Sequence, residues 1–328
     1  MNPKAVSLLS GGLDSTLATK IVLNQGIEVA AIHFSLPWGC CNRSAANEVA
    51  RRFGISLMVL KLCEDYVEMI RNPKYGYGRA MNPCVDCRIY MYRKARKYME
   101  TIGASFLITG EVLGQRPKSQ MRDSLRIIER ECGLSRLILR PLSAKLLEPT
   151  IPEELGVVDR SKLLDISGRS RRMQMALAAE EGIREYPTPA GGCLLTDENF
   201  SRRLKDLFGH RQDVTVEEME LLRIGRHFRL NPGLKAVVGR NESENELLEY
   251  YGKTRPLFHP VNFPGPSTLV LGELDLAGEQ MVAGLIYRYS ATPRNGKAEE
   301  VVLSGRNGEH RYHPEDLLSK EALETMRI

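Results

Sequence analysis

Three thiols carry the most specific chemistry this sequence offers: Cys84 and Cys87 in NPCVDCR, and Cys193 in PAGGCLL. Two cysteines at C-x-x-C spacing can hold one metal ion or one iron–sulfur cluster between them. A helical pattern follows directly, and a helix N-terminus favours the thiolate, so a lowered thiol pKa is expected there. A second set of reactive residues lies at the start, in KAVSLLSGGLDSTLATKIVL (4–23). An apolar, strand-like run leads into Gly11 and Gly12, and a helical pattern begins after them. At such a junction glycine lets backbone N–H groups approach a phosphate, and the helix dipole favours the anion. Ser10 and Ser15 add hydroxyls, and Asp14 is suited to hold Mg²⁺ or to anchor the loop. The loop has no lysine, so it is not the G-x-x-x-x-G-K-[ST] form, and it lacks the dinucleotide G-x-G-x-x-G.

The hexapeptide SGGLDS resembles the pyrophosphatase-loop (PP-loop) signature of enzymes that adenylate a carbonyl oxygen and release pyrophosphate. That resemblance implies a HUP-type α/β domain. Ser10, Gly11, Gly12, Asp14 and Ser15 would surround the phosphates of ATP, with the strand end at His33 and Phe34 beside the adenine. Asparagine synthetases, GMP synthetases and tRNA thiolases share the loop, so other residues must identify the nucleophile.

The segment around Cys84 and Cys87 is similar to that of bacterial tRNA 2-thiouridylases, whose catalytic or cluster-binding cysteine matches Cys87. Cysteine at 84 resembles the cluster-dependent subgroup. FLITGEVLGQRPKSQ (106–120) is similar to the run that closes over the nucleotide in tRNA 4-thiouridine synthetases, which implies roles for Thr109, Gly110 and Gln115. Cys193 stands where thiolases carry a persulfide or complete a cluster. The resemblance therefore implies Cys84, Cys87 and Cys193 as ligands of a [4Fe–4S] cluster, with Asp14, Cys87 and Cys193 as the catalytic residues. Zn²⁺ on four thiolates, with Cys40 or Cys41 of WGCCNR as the fourth, is the competing reading. Neighbouring cysteines on extended chain point apart, which ranks zinc lower.

Further on, VGRN (238–241), Asn245, His259 and Pro264–Gly265 resemble the RNA-binding domain of the NFACT family, implying that Arg240 and His259 meet phosphates. With the thiolase resemblance, this implies tRNA as partner, ATP as co-substrate, and sulfide or a separate persulfide donor protein as sulfur source. The chain opens at the loop, with no THUMP-type domain ahead of it and no rhodanese-like domain after, which is why a separate donor is expected. A second copy of the chain is admitted as a partner. The alternatives are an amidating ligase, a small-molecule thiolase, and a non-catalytic RNA-binding protein.

These residues need a scaffold. Strand-like KAVSLL, EVAAIHF, SLMVLKL, SFLITG and RLILRPL are separated by helical stretches, which predicts an α/β, doubly wound parallel sheet. Ligands then gather outside the carboxyl ends of its strands, at the switch point. After residue 200 the pattern changes: two helical runs precede short apolar runs cut by Gly, Pro and Asn, including MVAGLIY. The reading is a PP-loop catalytic domain over 1–198 and a smaller α+β, RNA-binding domain over 199–328.

The 328 residues suffice for two cores. No apolar run reaches membrane-spanning length, and the N-terminus lacks a signal pattern, so a cytoplasmic chain without membrane contact is expected. Its seven cysteines are then not a disulfide framework, and Cys63 and Cys132 read as buried apolar fillers. The net charge of +5 is modest, but basic residues cluster at 93–97, 168–172 and 201–205, where they could meet phosphates.

Overall fold

The computed structural model describes residues 3–36, 38, 43–186, 193–290, 301–305, 308–313 and 319–328. Cys40 and Cys41 lie outside them. The chain divides into two compact units, Met1–Asp197 and Glu198–Ile328.

The first unit alternates strand and helix: β1 Lys4–Leu8, α1 Leu13–Leu23, β2 Glu28–Ser35, α2 Arg43–Phe53, β3 Leu57–Lys61, α3 Glu64–Arg71 and α4 Cys84–Thr101. Then come β4 Phe106–Ile108, α5 Arg122–Cys132, β5 Ile138–Leu139, α6 Ile151–Glu154 and α7 Arg172–Glu180. The strands pair in parallel in the order β3-β2-β1-β4-β5. This is the HUP-like doubly wound sheet expected from the alternation of runs. The central strands are apolar along their length because helices cover both faces. Ala5, Leu17, Val22, Phe106 and Ile108 build the core on one side, while Ala31, Ala46 and Ala50 build it beneath α2.

The order reverses at β1, with β2 on one side and β4 on the other. The crevice of such a sheet opens where neighbouring strands send their connections to opposite faces. The loops that follow β1 and β4 meet there. Gly110 sits so close that a Cβ on it would lie 2.5 Å from the Ser15 nitrogen and 2.6 Å from the Asp14 carbonyl carbon. Gly11, at φ +79°, similarly leaves room for Ala45 and Ala46 at the start of α2.

The second unit runs α8 Glu198–His210, α9 Val216–Leu221, β6 Arg226–Asn231, β7 Leu234–Val238, α10 Glu242–Gly252, β8 Leu257–Pro260 and β9 Thr268–Leu271. It continues through α11 Leu276–Tyr289, β10 Val301–Gly305, β11 Gly308–Tyr312 and α12 Lys320–Thr325. Its sheet is antiparallel, ordered β11-β10-β8-β9-β7-β6. Phe228, Leu234, Val270, Val282 and Ile286 form the main core, and Leu221, Val237, Leu248 and Leu269 a second.

Three local expectations change. The helix after the C-x-x-C motif starts at Cys84 itself, so both thiols lie in its opening turns. MVAGLIY, grouped by composition with the short strand-like runs, belongs to α11, which Asp275 caps by accepting from the Gly278 N–H. Cys63 is exposed at the N-terminus of α3 and is not a core filler, whereas Cys132 is buried.

Gly110→Ala has no flexible neighbour to displace, since the clash is with backbone. It should lower the unfolding free energy by about 1–3 kcal/mol, read as a shift in denaturant midpoint at unchanged m-value.

Candidate active site at the switch point

The loop after β1 is tied together by its own serines. The Ser10 and Ser15 hydroxyls are 3.0 Å apart, Ser15 Oγ donates to the Gly12 carbonyl at 2.9 Å, and the Gly12 N–H reaches Ser10 Oγ at 3.3 Å. Gly12 takes the N-cap position of α1, and no side chain caps that end. The first N–H groups of a helix have no partner inside it, so an uncapped N-terminus offers donors to an anion.

Asp14 is divided between two environments. Its Oδ2 accepts from Gln115 Nε2 at 3.2 Å and lies 3.5 Å from Arg171. Its Oδ1 is buried and without a hydrogen-bond partner. An orphaned carboxylate oxygen beside a helix N-terminus suits a hard divalent cation, which commonly takes one or two carboxylates together with phosphate oxygens. The residues present fit Mg²⁺ at this position.

His33 and Phe34 lie near the end of β2, but successive side chains of a strand face opposite sides, so they do not share one surface. The His33 Nδ1 lies 2.9 Å from the Leu9 carbonyl, and its Nε2 is buried without a partner. Burial keeps the ring's pKa below its ordinary value, against the pull of the Leu9 hydrogen bond.

The loop after β4 faces two ways. Thr109 and Gly110 lead off the strand, and Gly110 packs on the glycine loop as described. Glu111 turns into the protein, where Arg140 Nε donates to its Oε2 at 3.0 Å and Arg88 Nε lies 3.5 Å from its Oε1. Arg140 also reaches Glu129 at 2.5 Å. Arg88 follows Cys87 on α4 and lies within electrostatic reach of both Cys84 and Cys87.

Cys84 and Cys193 both lie within electrostatic reach of Cys87. The chain at Cys193 is held near the start of α4 by the Met81 N–H, which donates to the Leu195 carbonyl at 3.1 Å. Tyr66, fully buried between the rings of Trp38 and Tyr90, lies with its hydroxyl 3.1 Å from Cys87 Sγ. The Cys87 thiol is enclosed, although the residue as a whole keeps some exposure. Burial pushes its pKa up to about 12, and the Tyr66 hydrogen bond and Arg88 only partly oppose this. The lowered value expected from the helix N-terminus is therefore overturned for Cys87, because desolvation of the thiolate outweighs the dipole.

Among the described residues no three Cys, His, Asp or Glu side chains meet closely enough to hold one metal ion. A four-iron cluster bonds each thiolate to a different iron and so tolerates a wider spread of sulfurs around one centre. Cys84 and Cys193 near Cys87 suit that demand, and the four-thiolate zinc reading calls on Cys40 or Cys41, which lie outside the described residues. Residues that sequence reasoning passed over are Tyr66, Arg88 and Arg171. Arg171 left a trace in the basic run GRSRR, and Arg88 stood in NPCVDCR without a role assigned to it.

The family comparisons agree with these motifs. Residues 1–148 match the model of the family described as Thiamine biosynthesis protein (ThiI), and residues 225–325 match that of the NFACT protein RNA binding domain. The resemblance read from the motifs holds in both parts of the chain. The tRNA-specific 2-thiouridylase MnmA of Clostridium acetobutylicum is 32% identical over 127 residues, 34% of this chain and 36% of that protein. A probable tRNA sulfurtransferase of Lysinibacillus sphaericus is 32% identical over 168 residues, 49% of this chain and 40% of that protein. The aligned stretch thus spans well under half the length of these relatives. Among solved structures, a 4-thiouridine synthetase–RNA complex with bound ATP aligns at 22% identity with a TM-score of 0.35, over 56% of this chain and 54% of that one. The U34-tRNA thiolase NcsA from Methanococcus maripaludis with its [4Fe–4S] cluster aligns at 16% identity and 0.33, over 68% and 71%. Likeness at those scores carries no argument about the site.

In metal-free protein, Cys87 should alkylate slowly at neutral pH, with a rate that climbs until about pH 12. Tyr66→Phe removes a hydrogen bond to the thiolate, so it should move that profile to still higher pH, measured by mass spectrometry of the Cys87 peptide.

Proposed function

We propose that the chain is an ATP-dependent tRNA sulfurtransferase that adenylates a uridine carbonyl oxygen and replaces it with sulfur. One observation carries this reading: the loop Thr109–Glu111 joins the nucleotide loop to the thiols. Gly110 packs on Asp14 and Ser15, while Glu111 pairs with Arg88 of the helix that bears Cys84 and Cys87. Oxygen activation and sulfur delivery must act on the same carbon, so the two machineries need a rigid link. The names of the curated relatives support tRNA as substrate, and the C-terminal match supports contact with RNA.

In this mechanism the triphosphate of ATP lies against the uncapped N–H groups of α1 and the Ser10 and Ser15 hydroxyls. Asp14 Oδ1 would hold Mg²⁺, which when bound would supply charge neutralisation of the phosphates. Gln115 and Arg171 fix the other oxygen of Asp14 and so its orientation. The uridine leaves its stack to reach the site, and its carbonyl oxygen attacks the α-phosphorus. Pyrophosphate departs, its charge offset by the helix N–H groups. Hydrosulfide then bonds to the base carbon; where the source is a persulfide, a second thiol first cleaves its S–S bond, which releases the outer sulfur as hydrosulfide and leaves a disulfide. The carbon–oxygen bond breaks, and AMP leaves with the former carbonyl oxygen.

Cys84, Cys87 and Cys193 would hold a [4Fe–4S] cluster, which when bound supplies an open iron for hydrosulfide. Ligation needs the thiolate, so Cys87 must give up its proton as the cluster is loaded, and Arg88 offsets part of the charge that results. A persulfide on Cys193 is the alternative carrier.

The test separates the two halves of the reaction under anaerobic conditions, with ATP, tRNA and sulfide. Asp14→Asn should depress pyrophosphate release by on the order of 10²-fold. Cys87→Ala and Cys193→Ala should still release pyrophosphate but form no thiolated nucleoside by mass spectrometry. Full turnover of a nitrogen nucleophile by a Cys84/Cys87/Cys193→Ala triple variant would overturn the reading in favour of an amidating ligase.

A further inference from the structure

The C-terminal unit contains a cavity of about 440 Å³ lined by Asn199, Arg202, Arg203, Arg240, Glu324, Arg327 and Ile328. Four guanidinium groups border it. They remain in excess even when the carboxylates of Glu324 and of Glu244 (which pairs with Arg240) are counted against them. Arg202, Arg203 and Arg327 lie outside residues 225–325, the span that matches the RNA-binding family model.

Each arginine is held in place. Arg202 donates to Asn199 Oδ1 at 2.7 Å, and Arg203 to the Leu222 carbonyl at 2.9 Å. Arg240 is braced by Glu244, and Arg327 lies 3.3 Å from Glu324, itself bonded by the Tyr289 hydroxyl at 2.7 Å. Helix α8, which carries Arg202 and Arg203, is fastened to the sheet by Asp206, whose carboxylate accepts from Arg229 at 2.7 Å and Lys235 at 3.2 Å. A pre-set guanidinium fork loses little freedom when it binds a phosphate, and its planar donors match phosphate oxygens.

Among the described residues no aromatic ring lines this cavity. A base would find no stacking platform there, whereas a ribose-phosphate segment meets the size of an ordinary ligand site.

We propose that this cavity is a sequence-independent clamp for the RNA sugar-phosphate backbone. It rests on the reading that the C-terminal unit meets RNA, and adds where and by what chemistry the grip is made. Arg202 and Arg327, both exposed, supply the contacts that can be removed without disturbing the core. The clamp reads charge and not sequence, so it would hold a substrate RNA without choosing the modified base.

The experiment measures affinity of the full chain for oligo(U) and oligo(A) RNA across a salt series, by fluorescence anisotropy. The Arg202→Ala/Arg327→Ala variant should weaken both RNAs alike and flatten the plot of log affinity against log salt by roughly one to two units of slope. A Lys253→Ala/Arg311→Ala control removes the same charge from side chains that do not line the cavity, and should leave most of the slope intact. An unchanged slope in the cavity variant, an equal loss in the control, or a loss for one base only would overturn the clamp. So would inorganic tripolyphosphate that binds the wild-type chain and not the variant, yet fails to compete with RNA, since the cavity would then serve a free anion. The thiolase reading fails separately: a chain that passes every arm of this test yet never releases pyrophosphate with tRNA would keep the clamp and lose the sulfurtransferase.

Discussion

Everything in the first unit turns on how closely two loops approach at the switch point of the sheet. A side chain as small as alanine at position 110 would strike the backbone of Asp14 and Ser15. The absence of a Cβ there lets the β4 loop lie directly on the start of α1. The uncapped helix end, the orphaned Asp14 oxygen and the loop that leads to Glu111 then occupy one corner. Parallel strands deliver their following loops to the same edge, so the topology supplies the neighbourhood and glycine supplies the contact distance.

Behind that corner lies a set of charges that is expensive to bury and expensive to break. Glu111 and Arg140 are each 3% exposed and bonded at 3.0 Å, with Glu129 and Arg88 completing the set. Removing one member of such a buried pair strands its partner, at a cost of about 3–5 kcal/mol. A network of this kind fixes position better than it adds stability. Here it fixes α4, and with it the thiols, relative to the β4 loop. The same burial that holds Cys87 pushes its thiol pKa up to about 12, so a ligand that takes its thiolate must displace the proton.

The second unit solves a different problem with different means. Its antiparallel sheet needs no crossover helices, and its charge is concentrated where α8 meets the ends of β6 and β7. The anchor is Asp206 between Arg229 and Lys235. Lys235 is brought down to about 8 by burial, with Asp206 holding it partly charged. Burial, Lys235 and Arg203 together keep His227 neutral at the same place. At this anchor the charges are held within the scaffold, while Arg202 and Arg327 carry positive charge at the surface.

Much of this was legible without coordinates, for a physical reason in each case. The period of apolar runs separated by helices is a local property, so the parallel sheet and its reading edge followed from the chain. SGGLDS carries its own chemistry in six consecutive residues, and C-x-x-C does so in four. Long-range encounters are different, because no spacing encodes them. Tyr66 against Cys87, Arg88 against Glu111 and Arg171 against Asp14 exist only once helices pack on the sheet. The protonation of Cys87 belongs to the same class. A helix start argues for thiolate and can be read from sequence, but the desolvation that prevails depends on which side chains close around the sulfur. The four arginines of the C-terminal cavity are likewise drawn from three separate parts of the chain, at 202–203, 240 and 327, and only folding brings their charges to one place.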